Sequence, residues 1–438
     1  MGMKCIRCGT DNNLRDRTTN YGRCKNCNHP FAFEPSAVTN MLLRFTDPFF
    51  AKAIDELSVN DTLFFTPKQL FYSLDRRLKS REQLKYDWII TYFFLNIFGI
   101  VFIGNFLSII ISNLVGFFLG WLITNLCFIL RYFYLSGSGR LNSKVRNFNA
   151  RKLQIVGIFI LIIGSYGLIK LRSFNLYVTV VVLGMLSIFL GTWQRIRQAK
   201  ISEEFLFEQD KFQDWVNRWI AFNGSITKML ASPREENNVV AISSDVSAYS
   251  FDRVVVCDSA EIAQLLIANN FHFENNCAIL SITGYPQSIF ATVMAMLRRN
   301  PELKVYALHN ASPRGVGLVH HLRNNPNWFQ NSNAVIFDLG LSIKQILRSR
   351  NLMIRSSDYS ARESMQLPEA VRQELSQDEL KWLDSGKFVE LESFTPERII
   401  RVLQQGIAQS QEPDGSSMVI LNDGGNDAGM IFVADSFG

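Results

Sequence analysis

The dominant pattern along the chain is an apolar block from Trp88 to Trp193, nearly free of acidic residues. A basic, Gly/Ser-bearing segment from Arg131 to Lys152 interrupts it once. Residues 88–130 are too long for a single helix across a bilayer. At roughly 20 residues per crossing they hold two, with a tight turn at either Gly104-Asn105 or Ser112-Asn113. Residues 153–193 divide the same way around Lys170 to Asn175. The pattern over 88–194 therefore predicts four transmembrane α-helices in two hairpins. A buried soluble helical core would need polar faces at helical period, whereas these segments are apolar all round.

Elsewhere the periods change. In residues 36–87, Thr46-Asp47-Pro48 predicts a helix start with Asp47 as cap, and Phe49, Phe50, Ala53, Ile54 and Leu57 follow at helical spacing. Asn60-Asp61 breaks that helix. Thr66 and Pro67 open a second one, with Leu70, Phe71, Leu74 and Leu78 on one face and Lys68, Arg76 and Arg77 elsewhere. Two short helices with a turn fit a helix-turn-helix or winged-helix unit. Within 195–240, Glu203 to Ile226 predicts an amphipathic connecting helix striped by Phe205, Phe212, Trp215, Trp219, Phe222 and Ile226. Its acidic face suits packing on the following domain, or on a second copy of the chain, better than an anionic lipid surface.

Residues 241–408 alternate strand and helix. Short apolar strands are expected at Arg253 to Cys257, Ala278 to Thr283, Lys304 to Leu308 and Ala334 to Phe337. Such strands separated by helices predict a parallel sheet covered on both faces, with any active site outside the carboxyl ends. That edge carries Cys257, Asp258, Gly284, Tyr285, His309, Asn310, Ser312 and Arg314. Residues 409–438 read as a linker and tail, with apolar clusters at Met418 to Leu421 and Gly429 to Val433 that form either a terminal hairpin or a docking peptide.

Charge gives these parts an orientation. Arg76, Arg77, Lys79, Arg81 and Lys85 precede the first span, six Lys/Arg residues from Arg131 to Lys152 fill the middle loop, and Arg195, Arg197 and Lys200 follow the last span. Only Lys170 and Arg172 lie on the opposite side. The bias predicts a multi-pass integral membrane protein with both termini and the soluble domains in the cytoplasm. The N-terminus is polar and cysteine-bearing, without the pattern of a cleavable signal peptide. The net charge of +6 over 438 residues is partly accounted for by this bias, so it carries little weight toward nucleic acid.

Cys5-Ile-Arg-Cys8-Gly9 and Cys24-Lys-Asn-Cys27 form two C-x2-C pairs. Each pair on a tight turn can grip one side of a tetrahedral ion, so residues 1–35 predict a zinc ribbon with Cys5, Cys8, Cys24 and Cys27 as ligands of a structural Zn²⁺. Disulfides fit poorly on a reducing side of the membrane. Cys127, Cys257 and Cys277 stand in apolar surroundings and read as buried core.

The run Ile282-Thr-Gly284-Tyr285-Pro286, followed by Val305-Tyr-Ala-Leu308, Asn310-Ala-Ser312-Pro313 and Gly315-Val-Gly317, resembles the Toprim domain of the topoisomerase VI A subunit and its meiotic relatives. Gln377 to Leu380 and Leu383 to Ser393 are similar to that family's carboxy-terminal region, and Phe65 to Tyr72 is similar to its winged-helix motif. These stretches cover roughly half the chain in the family's order. The resemblance implies Mg²⁺-dependent DNA transesterification, with Tyr72 as nucleophile and a Glu plus an Asp-x-Asp pair holding the metal. Here Cys257 stands in place of the Glu, and Asn310 and Ser312 in place of the two Asp residues. Asp258 and Glu261 are near but cannot rebuild three anionic ligands, so the Mg²⁺ site is degenerate. Gly284, Arg314 and Gly315 retain the character of a phosphate-binding turn, or simply of sheet-to-helix turns.

The expected architecture is thus a multidomain membrane protein with a zinc ribbon, a helical winged-helix-like segment, four transmembrane helices and a C-terminal α/β Toprim-like parallel sheet. The expected role is non-catalytic binding or scaffolding at the membrane, with DNA, a homodimer mate or another protein as partner. The alternatives are an active DNA-cleaving transesterase using Tyr72, and a protein-only membrane scaffold.

Overall fold

The computed structural model describes residues 2–35, 43–80, 87–110, 113–141, 143–171, 174–197, 201–233, 252–287, 290–297, 300, 302–330, 332–349, 352–410, 419–420 and 431–432. The chain forms two compact units. One comprises Met1–Leu78, Phe205–Ser349 and Ile354–Gly438, and the other Lys79–Glu204 with Arg350–Met353.

The first unit opens with an antiparallel pair, β1 (Met3–Lys4) and β2 (Asp11–Asn12), followed by α1 (Leu14–Thr19). Asn13 caps α1 by accepting the Asp16 amide, while the Asp16 carboxylate accepts the Asn13 amide. Helix α2 (Asp47–Ser58) carries Pro48 in its first turn as expected, but Asp47 is not its cap. Thr46 holds that position without a side-chain cap bond. The fully buried Asp47 carboxylate turns back instead to accept the amides of Ala32 at 2.9 Å and Phe33 at 2.8 Å. Those donors need a partner once buried, and only a carboxylate reaches both. Val59, Asn60 and Asp61 end α2 with positive φ values of 49°, 54° and 65°. Helix α3 (Pro67–Ser80) then starts from a reciprocal cap, in which Thr66 Oγ1 accepts the Gln69 amide and Gln69 Oε1 accepts the Thr66 amide. Its Leu70, Phe71, Leu74 and Leu78 share one core with Phe50, Ala53 and Leu57 of α2.

The second unit is a helical bundle. Helix α4 (Asp87–Gly99) continues through a widened π-helical turn at Ile100–Gly104 into α5 (Asn105–Ile110), so the chain does not reverse at Gly104-Asn105. The other candidate turn involves Ser112, outside the described residues, and α6 (Asn113–Gly137) begins directly after it. Helices α7 (Ser143–Leu171) and α8 (Phe174–Arg197) form the second hairpin. Four stretches are long and apolar enough to cross a membrane: Trp88–Ile110, Val115–Gly137, Val145–Ser165 and Phe174–Arg197. Helices α7 and α8 approach closely, because a Cβ on Gly157 would stand 2.7 Å from the Gly184 carbonyl oxygen. Between α4 and α6 the Tyr92 hydroxyl donates to Asn125 Oδ1 at 2.6 Å, and Asn125 Nδ2 donates to Asn96 Oδ1 at 2.8 Å. Cys127 corrects the expectation of a buried thiol: it is exposed on α6, within an apolar stretch whose outer face has no protein covering it.

Back in the first unit, one helix over 203–226 does not form. Residues 201–208 are non-helical and α9 spans Gln209–Asn223. The cause lies in two rings: Phe205 and Phe207 both contact the Phe71 ring, at 4.3 and 4.9 Å between centroids. Residues two apart on a helix face different ways and could not both do so. The amide of Leu206 is taken up at 2.8 Å by the Asp75 carboxylate. The stripe Phe212, Trp215, Trp219 and Ile226 packs on α2 and α3 of the same chain, rather than on the following α/β domain. Phe222 stays exposed.

The sheet follows. Strand β3 (Arg253–Cys257) leads to α10 (Ala260–Ala268), a short α11 (Phe271–Glu274) and β4 (Cys277–Ser281). Then come α12 (Phe290–Leu297), β5 (Lys304–Leu308), α13 (Pro313–Val316), α14 (Leu318–Asn324) and β6 (Val335–Asp338). All four strands are parallel, in the order β4-β3-β5-β6. Val254, Val256, Val305 and Ala307 face a core shared with Val293 and Leu297 of α12 and Leu318 and Leu322 of α14. Strand alternation sends Tyr306 to the other face. Beyond the sheet lie α15 (Ile343–Arg348), β7 (Arg355–Ser356), α16 (Asp358–Met365), α17 (Glu369–Glu374), α18 (Gln377–Asp384) and β8 (Lys387–Phe388), which pairs antiparallel with β7. Helix α19 (Pro396–Gln409) ends at Ser410, whose hydroxyl lies 2.7 Å from that of Tyr306, so the sheet is covered on both faces. In the tail, β9 (Val419–Ile420) pairs antiparallel with β10 (Ile431–Phe432), the hairpin of the two alternatives.

Candidate functional site

Two places carry chemistry. At the first, the sulfur atoms of Cys5, Cys8, Cys24 and Cys27 all lie within 4.8 Å of one another, with Cys5 to Cys27 and Cys8 to Cys24 both at 3.6 Å. The two turns are built alike. Gly9 donates its amide to the Cys5 carbonyl and takes φ +72°, while Asn28 donates to the Cys24 carbonyl and takes φ +57°. Glycine and asparagine are the residues that accept this left-handed conformation cheaply. Without a cation the thiols do not share one ionisation state. Burial pushes Cys5 up to about 12, whereas the Thr10 hydroxyl and amide hold Cys8 down to about 6. A divalent ion would make thiolates of all four, and a four-sulfur donor set is compatible with zinc. Among the described residues this is the one group of three or more such ligands close enough to hold a metal ion.

The second place is the carboxyl edge of the sheet. The chain leaves β3 for β4 on one side and returns to β5 on the other, so the crevice between the ends of β3 and β5 is the switch point where such sheets bind ligands. Asp258 and Asn310 flank it. The segment from Val389 to Glu392 fills it: Ala311 and Val389 exchange amide-to-carbonyl bonds of 3.0 and 2.9 Å. Asn310 donates its amide to Asp258 Oδ2 at 2.8 Å and accepts the Leu391 amide on Oδ1 at 2.7 Å. Asp258 Oδ1 is buried without a partner, and burial raises that carboxyl above its ordinary value. Cys257 is fully buried, and burial lifts its thiol well above the usual range. The Ser312 hydroxyl accepts the Gly315 amide at 3.1 Å as the cap of α13. Gly315 is required by close approach, since a Cβ there would stand 2.0 Å from the Asn310 carbonyl oxygen. Gly284 takes φ +83° and donates its amide to Ser281. Both glycine amides are therefore used within the chain's own turns. The exposed Arg314 lies 3.5 Å from Glu363.

Helix α3 meets this edge through polar side chains. Lys68 Nζ lies 2.7 Å from Glu390 Oε1 and 3.2 Å from Glu392 Oε2. The Tyr72 hydroxyl donates to Glu390 Oε2, Gln69 Nε2 donates to the Phe394 carbonyl at 3.0 Å, and Arg76 donates to the Ser393 carbonyl at 2.6 Å. Tyr72 is 1% exposed. Burial, then the neighbouring Glu390 charge, raises its phenol well above the ordinary value. Burial also lifts Glu392 to about 7, against the pull of Lys68.

A third pairing lies beside the crevice. His309 is buried, with Nε2 2.9 Å from Asp338 Oδ1 and Nδ1 2.8 Å from the Asn310 carbonyl oxygen. Both ring nitrogens face acceptors, so both carry protons and the ring is an imidazolium. Burial alone would depress its pKa. The Asp338 charge and hydrogen bond outweigh that and raise it to about 9.

The structure thus brings Tyr72, Asp258, Asn310 and Ser312 into one polar region with Lys68, Glu390 and Glu392, three residues to which the sequence assigned no role. Glu390-Leu-Glu392 was visible only as part of a family-like stretch. Lys68 and Glu390 are 322 positions apart, and no local spacing joins them. Comparison with protein-family models, with curated proteins and with solved structures finds no match.

Proposed function

We propose that the chain is a membrane-anchored, non-catalytic Toprim-like protein. It works by binding at the cytoplasmic face of the bilayer and holds DNA there through the phosphate backbone. Four apolar helices serve as the anchor, and the bias of Lys and Arg favours the cytoplasmic side for both soluble parts. The four cysteines hold a structural zinc that staples residues 1–35.

The observation that carries the non-catalytic reading is the state of Tyr72. A nucleophilic hydroxyl needs a base or a lowered pKa and access to the phosphate. The Tyr72 hydroxyl is buried, spends its proton on Glu390, and is harder to ionise than a free tyrosine. The positions where Mg²⁺ would need oxyanions carry a buried thiol, an amide engaged with Leu391 and a hydroxyl engaged in a helix cap. The exposed Arg314 at the start of α13 offers positive charge to a polyanionic ligand.

The test is a mobility shift of linear DNA with the detergent-solubilised full chain across a salt series. Binding that weakens steeply as salt rises supports the reading. No shift at the lowest salt removes DNA and leaves a protein-only membrane scaffold.

A further inference from the structure

We propose that Glu390 and Glu392 form a cation cradle at the carboxyl edge of the sheet whose resident cation is the chain's own Lys68 ammonium. Removing that ammonium opens the cradle to a hydrated divalent cation such as Mn²⁺ or Mg²⁺. The inference deepens the non-catalytic reading and rests on it, because it says how this edge does without a metal.

The geometry is that of a bound cation. One ammonium bridges two carboxylates two residues apart, at 2.7 and 3.2 Å. The second oxygen of each is also committed: Glu390 Oε2 accepts the Tyr72 hydroxyl, and Glu392 Oε1 lies 3.4 Å from Thr66 Oγ1. Both carboxylates therefore point inward to the foot of α3. The ammonium is held from its own side as well. Thr66 and Gln69 fix the first turn of α3 reciprocally, and Gln69 and Arg76 tie that helix to the carbonyls of Phe394 and Ser393. The backbone that carries Lys68 is therefore fixed, while its half-exposed side chain is held by the two carboxylates.

A third carboxyl shares the crevice with Lys68, Glu390 and Glu392. Asp258 lies close enough to feel both Lys68 and Glu390, and its Oδ1 is buried with no partner. Burial keeps Glu392 at about 7 even beside the ammonium. A pair of carboxylates completed by water is the kind of hard-oxygen set that Mg²⁺ and Mn²⁺ accept. A tethered ammonium in its midst excludes them by charge and by volume.

The experiment compares wild-type protein, zinc-loaded and in detergent, with Lys68→Gln, titrating Mn²⁺ alone well above pH 7, because Glu392 loses the pull of Lys68 in the variant and ionises later there. Removing one positive charge at contact distance should tighten Mn²⁺ binding by about tenfold or more. Adding Glu390→Gln and Glu392→Gln to Lys68→Gln should abolish the gain. Equal Mn²⁺ affinity in wild type and a folded Lys68→Gln overturns the proposal, as does a gain that survives loss of both glutamates. A second measurement on wild type requires no variant to fold. The ion-paired Lys68 should acylate at least about tenfold more slowly than Lys344, which is also exposed, and equal rates overturn the proposal. Metal-dependent DNA cleavage by the wild type would instead sink the non-catalytic reading, so the two failures are distinguishable.

Discussion

Replacing His309 by Gln should cost most stability near neutral pH and progressively less as the solution is made alkaline. The imidazolium donates to Asp338 and to the Asn310 carbonyl, and its pKa rises from 6.5 to about 9 in the folded protein. The raised value means that the folded state holds the proton more tightly than the unfolded chain. Its contribution is complete below about pH 6.5 and disappears as pH rises through about 9. At about 1.36 kcal/mol per unit the shift corresponds to roughly 3.4 kcal/mol. The Asp338 side chain is 42% exposed, so water screens the pair and about 2 kcal/mol is the better expectation. Asp338 is held below its ordinary value, with burial opposing and the His309 charge prevailing, so its share is present at neutral pH and lost as the solution is made acid. The assay is denaturant unfolding of wild type and His309→Gln in detergent, at several pH values from about 6 to about 10. Using the difference between the two proteins removes the titration of Glu392 and Tyr72, which both share. A gap about 2 kcal/mol larger at the neutral end supports the imidazolium. A gap constant across the range refutes it and makes His309 a packed neutral ring.

Other outcomes follow from the geometry. Cys24→Ser should abolish metal binding at the four-cysteine site, measured as metal per chain, and expose residues 1–35 to protease, because a structural ion such as zinc contributes on the order of 10 kcal/mol to such a site. Val59→Gly should stabilise the protein by about 0.5–1 kcal/mol, read as a raised unfolding midpoint. It relieves a left-handed φ of 49° that costs a β-branched residue about 1–2 kcal/mol, partly offset by glycine's larger unfolded-state entropy.

The parts legible in the sequence are those set by local period or spacing. Apolar stretches of crossing length, paired C-x2-C turns, and short apolar strands between helices each announce themselves within about 20 residues. What escaped depends on partners far away. Asp47 looks like a helix cap by position, yet two amides 14 and 15 residues earlier claim its carboxylate. Residues 203–208 carry helical spacing, but the Phe71 ring needs Phe205 and Phe207 on the same side. Cys127 has the same apolar neighbours whether a helix face turns inward or outward, so composition could not tell which. Lys68 reads as a solvated helix charge until Glu390 and Glu392 arrive from the far end of the chain. That Cys257, Asn310 and Ser312 differ from the Mg²⁺ ligands the resemblance implies is legible residue by residue, whereas the contacts that occupy the edge are not.

The most direct test of a non-catalytic edge is a covalent-trapping assay. Supercoiled DNA would be incubated with the solubilised chain and Mg²⁺ or Mn²⁺, quenched in denaturant, and scored for nicked or linear DNA carrying attached protein. Intact DNA and no adduct are expected, with Tyr72→Phe behaving as wild type. Protein-linked breaks that vanish in Tyr72→Phe would contradict it, because they require the buried hydroxyl on Glu390 to be freed and ionised.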